Sequence, residues 1–260
     1  MRHDLRVATT DTRSWPSLTA SLDDSGPVPV GLLLLATDRA SGADVAAFLP
    51  DGVESYATRI PMDVVATPET LARLGDHLTD GARLLAPGGP LAAIGFSCTS
   101  GTVAVGAETA RARIAAGRPG IPVCTPVEAA VKALEALGTR RIALLTPYLD
   151  GPSNLIADFF AAGGIEVVTR ASFKLDGDPE MNRVTRDCLI AAGRDLGSHP
   201  DAEALFISCT GLRTRDVVEP LEELLGKPVV TSNQALAWDL ARTAGVDDRA
   251  PGRGRLFREA

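Results

Sequence analysis

The sequence predicts an α/β protein of two similar lobes, each built on a parallel sheet and related by a pseudo-twofold axis, with the active site in the cleft between them. Three observations carry this expectation. Continuous apolar runs recur along the chain, as they do in parallel strands covered on both faces. These runs alternate with helical patterns, which is the order of βαβ units. Two stretches also nearly repeat each other: Ile94-Gly-Phe-Ser-Cys98-Thr-Ser-Gly101 and Leu205-Phe-Ile-Ser-Cys209-Thr-Gly211.

The repeat extends beyond the cysteines. Gly31-Leu-Leu-Leu-Leu-Ala-Thr-Asp38 is echoed by Arg141-Ile-Ala-Leu-Leu-Thr-Pro-Tyr148, and Ile121-Pro-Val-Cys-Thr125 by Lys227-Pro-Val-Val-Thr231. Three elements in the same order in both halves argue for duplication. In chain order, strands are expected at 28–36, 55–60, 91–97, 121–123, 141–146, 166–171, 204–208 and 229–231. Helices are expected at 41–48, 69–85, 101–116, 126–137, 152–162, 181–196, 213–225 and 234–244. Thr125-Pro126 and Ser232-Asn233 are helix-start signals that support two of these. The organisation is therefore an N-terminal arm over 1–27, a first lobe over 28–137, a second over 138–246 and a flexible Gly/Pro-rich tail over 247–260, with strands able to swap between lobes near the ends.

Composition narrows the function classes. A chain of 260 residues with 45% hydrophobic residues can bury a substantial core. A net charge of −7 and scattered basic residues argue against nucleic acid. No run is long enough to span a membrane and the first residues lack a signal-peptide core, so a cytoplasmic protein is expected. The four cysteines include no Cys-x-x-Cys pair, and in a reducing compartment they are expected as free thiols. None of the three histidines is near a Ser-Cys-Thr motif, so neither a metal site nor a Cys-His dyad is expected. No nucleotide-binding or Gly-x-Ser-x-Gly motif is present, and no cofactor is expected.

Cys98 and Cys209 are the candidate catalytic residues. Each ends a buried strand where a helix start would favour the thiolate, and their Ser, Thr and Gly neighbours suit the lining of a pocket. Thr99, Ser100, Thr210 and Gly211 would offer hydroxyls and backbone N–H groups to a bound anion such as a carboxylate. Asp38 and Tyr148 sit at matching strand ends facing the cleft. Asp38 reads equally as a turn cap, and Tyr148 as a packing residue. Asn182, at a helix start, reads as a cap or as a binding residue. Cys124, whose counterpart is Val230, and Cys188, on a helical stripe, read as core.

The paired Ser-Cys-Thr strand ends, with Tyr148 and Asn182, resemble the aspartate/glutamate racemase superfamily over residues 28 to 246. That superfamily includes maleate isomerases, arylmalonate decarboxylases and ectoine-utilisation proteins, and the motif variants here are most similar to the ectoine-utilisation branch. The resemblance implies a cofactor-independent isomerase of racemase or epimerase type, dimeric or larger, acting on a small carboxylate, with an ectoine-derived amino acid as an expected substrate. It gives Cys98 the role of nucleophile or base and Cys209 that of the opposed acid/base. Tyr148 and Asn182 match carboxylate-holding positions of the isomerases. Asp38 stands where maleate isomerases carry asparagine, which favours proton transfer on an amino-acid-like substrate. The alternatives are cis-trans isomerisation through a Cys98 adduct and a non-catalytic carboxylate-binding relative. Decarboxylation, which in this superfamily usually uses one cysteine, is disfavoured by the second.

Overall fold

The computed structural model describes residues 25–249 and 251–260, so most of the expected arm lies outside the described residues. The first half runs β1 (Val28–Leu35), α1 (Ser41–Phe48), β2 (Val53–Ile60), α2 (Pro68–Arg73), a 3-10 turn (Leu74–His77), α3 (Leu78–Arg83), β3 (Ala93–Phe96), α4 (Thr99–Val105), α5 (Ala107–Gly117), β4 (Val123–Cys124) and α6 (Pro126–Ala136). The second runs β5 (Arg141–Tyr148), α7 (Asp150–Ala162), β6 (Glu166–Leu175), α8 (Asp178–Met181), α9 (Arg186–Gly197), β7 (Ala204–Ile207), α10 (Val218–Leu225), β8 (Val229–Thr231), α11 (Ser232–Thr243) and α12 (Arg255–Glu259).

Two four-stranded parallel sheets result, ordered β2-β1-β3-β4 and β6-β5-β7-β8. The orders are the same once the second set is renumbered, so β3 and β7, which lead into the two cysteines, hold equivalent central places. Along β1 the side chains alternate between two apolar clusters. Leu33 and Leu35 pack with Ile60, Leu71 and Leu78, while Leu32 and Leu34 join a cluster that continues through β5, β7 and α11. Both faces of the strand are buried, which explains why its sequence reads as an unbroken apolar run.

Helix α11 belongs to the second half by sequence but packs against α1, α6 and β3 of the first. Gly95 of β3 permits the approach, since a Cβ there would lie 3.0 Å from Leu240 Cδ1. The second half thus lays a helix on the first, while each sheet keeps its own strands, without the swap near the ends that the sequence left open. The tail also departs from expectation. Leu256 and Phe257 on α12 are fully buried, and Trp238 Nε1 and Arg242 Nη2 both donate to the Ala260 carbonyl oxygen. Two apolar side chains anchor what its Gly/Pro content marked as loose.

Several expected helices are interrupted. The 101–116 helix breaks at Gly106, where φ is +88°, and begins earlier, at Thr99. The 69–85 helix passes through the 3-10 turn, and 181–196 divides into α8 and α9. The 213–225 helix starts only at Val218, which leaves residues 210–217 as a loop behind Cys209.

Candidate active site

Cys98 and Cys209 line one small cavity between the sheets, together with Asp38, Thr99, Ser100, Tyr148, Thr210, Asp178 and the apolar side chains of Leu35, Met62, Ala66, Leu71 and Met181. In this closed arrangement there is space for about one water molecule. Each thiol is placed by its own loop. Cys98 caps α4, and its Sγ accepts a hydrogen bond from the Gly101 N–H at 3.2 Å. Cys209 Sγ accepts from the Gly211 N–H at 3.3 Å. Cys209 holds a φ of +104°, which a non-glycine residue rarely adopts.

Ser232, the first residue of α11, ties the two motifs together. Its Oγ accepts from the Cys209 N–H at 3.0 Å and from the Thr99 hydroxyl at 2.9 Å. The Thr210 hydroxyl donates back across the cleft to the Ser97 carbonyl oxygen at 3.1 Å. Asn233 donates to the carbonyl oxygens of Thr210 and Leu212 at 3.1 and 3.0 Å and to Asp44 Oδ2 at 2.8 Å. The start of α11 therefore fixes the Cys209 loop, Thr99 and α1 as one unit.

Electrostatics place both sulfurs in the thiol form. Burial, followed by the nearby Asp178 charge, pushes Cys98 up to about 12, outweighing the Gly101 and Ser100 hydrogen bonds that act in the opposite direction. Cys209 is raised well above its ordinary value for the same leading reasons, and a charge on Cys98 would raise it further. The two sulfurs thus feel each other. The expected thiolate stabilisation is overruled by burial, and no helix follows directly behind Cys209 to supply it. Burial also holds the Tyr148 phenol protonated, with its OH 3.3 Å from Ser208 Oγ.

Three sequence-predicted binding residues spend their polar atoms elsewhere. Asp38 borders the cavity, yet its carboxylate accepts from the N–H groups of Ala40 and Ser41 at 2.7 and 3.0 Å and from the Ser41 hydroxyl. It caps this turn while staying on the cavity lining. Asn182 is absent from the cavity lining. Its side chain donates to the carbonyl oxygens of Asp178 at 2.6 Å and Thr37 at 3.4 Å and accepts from the Arg39 N–H at 3.1 Å, pinning two loops together. Gly211 serves the Cys209 sulfur. Thr99, Ser100, Tyr148 and Thr210 remain on the lining. Cys124 is buried as expected, whereas Cys188 is exposed, because the buried stripe of α9 runs through Leu189, Gly193 and Gly197.

Asp178 is the polar lining residue that sequence reasoning missed. It opens α8 and accepts a hydrogen bond from the Thr37 hydroxyl through Oδ2. Burial raises its pKa, against the Thr37 bond, and Asp38 adds in the same upward direction. In sequence it looked like an ordinary Asp-Pro helix start. The signal available was its position beyond β6, in a loop that must return toward the strand ends.

The family model for arylmalonate decarboxylase matches residues 30–257. The chain belongs to the arylmalonate decarboxylase family. It therefore falls within the Asp/Glu racemase-like superfamily and is an enzyme. It is 35% identical over 198 residues to the arylmalonate decarboxylase of Bordetella bronchiseptica, covering 75% of this chain and 82% of that protein. A liganded double mutant of arylmalonate decarboxylase superposes with a TM-score of 0.80 at 31% identity, covering 90% of this chain and 100% of the other. A variant of the Pseudomonas putida S16 maleate isomerase with maleate has a TM-score of 0.82 at 21% identity, covering 90% and 98%, and shares the two-lobed fold. These similarities lead to decarboxylases and maleate isomerases. No helix among the described residues is long and apolar enough to cross a membrane.

Proposed function

We propose that this enzyme transfers a proton at the carbon alpha to a small carboxylate, with Cys98 and Cys209 serving opposite faces of that carbon. The observation that supports this reading is the presence of both thiols on one cavity. One cysteine, as thiolate, takes the alpha hydrogen as a proton. The C–H bonding pair stays with the substrate as an enediolate, whose charge falls on the carboxylate oxygens. The opposed thiol then donates its proton to the other face. Bonds and charges balance, and the enzyme is left with thiol and thiolate exchanged. Tyr148, kept protonated by burial, and Ser100 are the groups suited to receive the developing oxyanion.

Both thiols are protonated at neutral pH, so one must first lose its proton. A buried, water-poor site makes that ionisation costly for the free enzyme and makes the resulting thiolate a strong base. The test is exchange of the alpha hydrogen with solvent deuterium. Wild-type enzyme should exchange it, and Cys98→Ser and Cys209→Ser should each lose racemisation; exchange retained in the double variant would reject the mechanism.

A second reading is decarboxylation of a malonate-type diacid, with one thiol protonating the carbanion left by loss of carbon dioxide. Membership of the family and the 35% identity favour it. The second cysteine on the same cavity favours the two-thiol reading. Carbon dioxide release from phenylmalonate by the wild type, retained in Cys98→Gly and lost in Cys209→Ser, with no alpha exchange on 2-phenylpropionate, would decide for decarboxylation. Addition of Cys98 to a double bond, as for maleate, would show as a mass increase on that cysteine. An ectoine-derived amino acid would be one case of the two-thiol reading.

A further inference from the structure

We propose that Asp178 is the specificity residue of this site and that it selects substrates carrying an ammonium group on the reacting carbon, in particular apolar α-amino acids. The inference rests on the two-thiol reading for its chemistry, but the recognition step stands on geometry of its own.

Asp178 is the carboxylate of the cavity whose oxygens are not consumed by backbone. Oδ2 takes the Thr37 hydroxyl, while Oδ1 points toward the Cys209 loop, where a Cβ on Gly211 would come within 3.3 Å of it and 3.4 Å of the Cys209 sulfur. Among the described residues no Lys, Arg or His forms an ion pair with Asp178. A half-buried carboxylate without a counter-ion is costly, and in a substrate cavity the missing cation is most simply supplied by the substrate. The other walls agree with that choice. Ser100 and Tyr148 suit the substrate carboxylate, and Leu35, Met62, Leu71 and Met181 offer an apolar face for a side chain. Once the cover opens to admit a substrate larger than the one water the closed cavity holds, three substituents of one carbon would meet three kinds of surface, leaving the fourth, hydrogen, for the thiols.

The probes are phenylglycine and 2-phenylpropionate, which differ by an ammonium in place of a methyl group. Binding is read by thermal shift and catalysis by alpha-hydrogen exchange in deuterium oxide. Wild-type enzyme should bind phenylglycine about 10- to 100-fold more tightly than 2-phenylpropionate, the usual worth of one charged hydrogen-bonded contact. Asp178→Asn should lose that preference and bind 2-phenylpropionate at least as well as the wild type does. Equal weakening of both ligands in Asp178→Asn, or an unchanged preference, would overturn the inference, as would failure of phenylglycine to stabilise the wild type. Asp178→Glu, which keeps the charge, should retain part of the preference. Tight, Asp178-dependent binding of phenylglycine with no exchange would instead sink the two-thiol mechanism and leave the recognition role standing.

Discussion

The φ of +104° at Cys209 places the second thiol in a conformation costing about 1–3 kcal/mol for a non-glycine residue, and such strain persists only where surrounding bonds over-determine it. Here the restraint is the Cys209 N–H bond to Ser232 Oγ, with Thr99 on the same oxygen. Ser232→Ala should therefore lower kcat by about 10- to 100-fold with little change in KM, since a misplacement near 1 Å is enough for such a loss. Ser232→Thr should recover much of it; an equal rise in KM, or a fall in Tm large enough to unfold the protein, would point to a structural role alone. The thiols also differ in a way labelling can read. Iodoacetamide at pH 8 should modify exposed Cys188 first, with Cys98, Cys124 and Cys209 modified far more slowly, and the Cys98 rate should climb with pH toward about 12 without an earlier plateau. Peptide mapping by mass spectrometry gives that order directly. Cys98, Cys209, Thr99, Ser100, Tyr148 and Thr210 were legible in sequence because the repeat itself marks them. Asp178 and Ser232 were not: each looks like a helix start, and only tertiary contact shows that Asp178 borders the cavity and that Ser232 ties the two cysteine motifs together.

Strands were the more legible elements, because a parallel strand buried on both faces leaves one continuous apolar run, as in Leu32 to Leu35. Helix limits were less so. Gly106 interrupts an alanine-rich pattern by adopting φ +88°, and a glycine in sequence does not announce which side of zero its φ will take. Loops were least legible, and one of them closes the site. Met62 and Ala66 border the cavity from the segment after β2, which is held to the loop before α8 by the Ala66 N–H bond to the Asp176 carbonyl oxygen at 2.8 Å. The two strands of loop meet at Gly177, where a Cβ would fall 1.9 Å from the Val64 carbonyl oxygen. No side chain fits without parting them. Gly177→Ala should loosen this cover, raising KM and admitting protease between residues 61 and 67, with mapping of the first cleavage products as the check. Cleavage there at the wild-type rate would mean that the contact does not hold the cover down.

At the scale of the molecule, the packing of α11 on the first lobe makes the two lobes interdependent, and the same packing determines where titratable groups are buried. Asp44 on α1 accepts from the Thr214 and Arg215 N–H groups, the Thr214 hydroxyl and Asn233, so a carboxylate from the first half completes the loop carrying the second thiol. Cys124 sits beside Thr243 of α11, and burial, with Asp239 nearby, pushes its thiol up to about 12. Cys98, Cys209 and Tyr148 are raised as well. For each of these groups the folded state keeps a proton that the unfolded chain gives up near pH 9 for thiols and near pH 10 for tyrosine. The folded state then binds more protons than the unfolded one, so the stability they contribute is complete below about pH 9 and is lost as pH rises through the raised folded values, which for Cys98 and Cys124 are about 12. The expected result is a Tm that falls steeply between pH 9 and 11. Cys124→Val copies the residue at the matching place in the other half, Val230, and leaves the cavity untouched. That variant should show a shallower alkaline fall while its Tm at pH 7 stays close to wild type. The slope, read by calorimetry across the pH series, isolates the proton held by this one thiol; an unchanged slope would mean that Cys124 ionises in the folded protein as readily as in the unfolded chain.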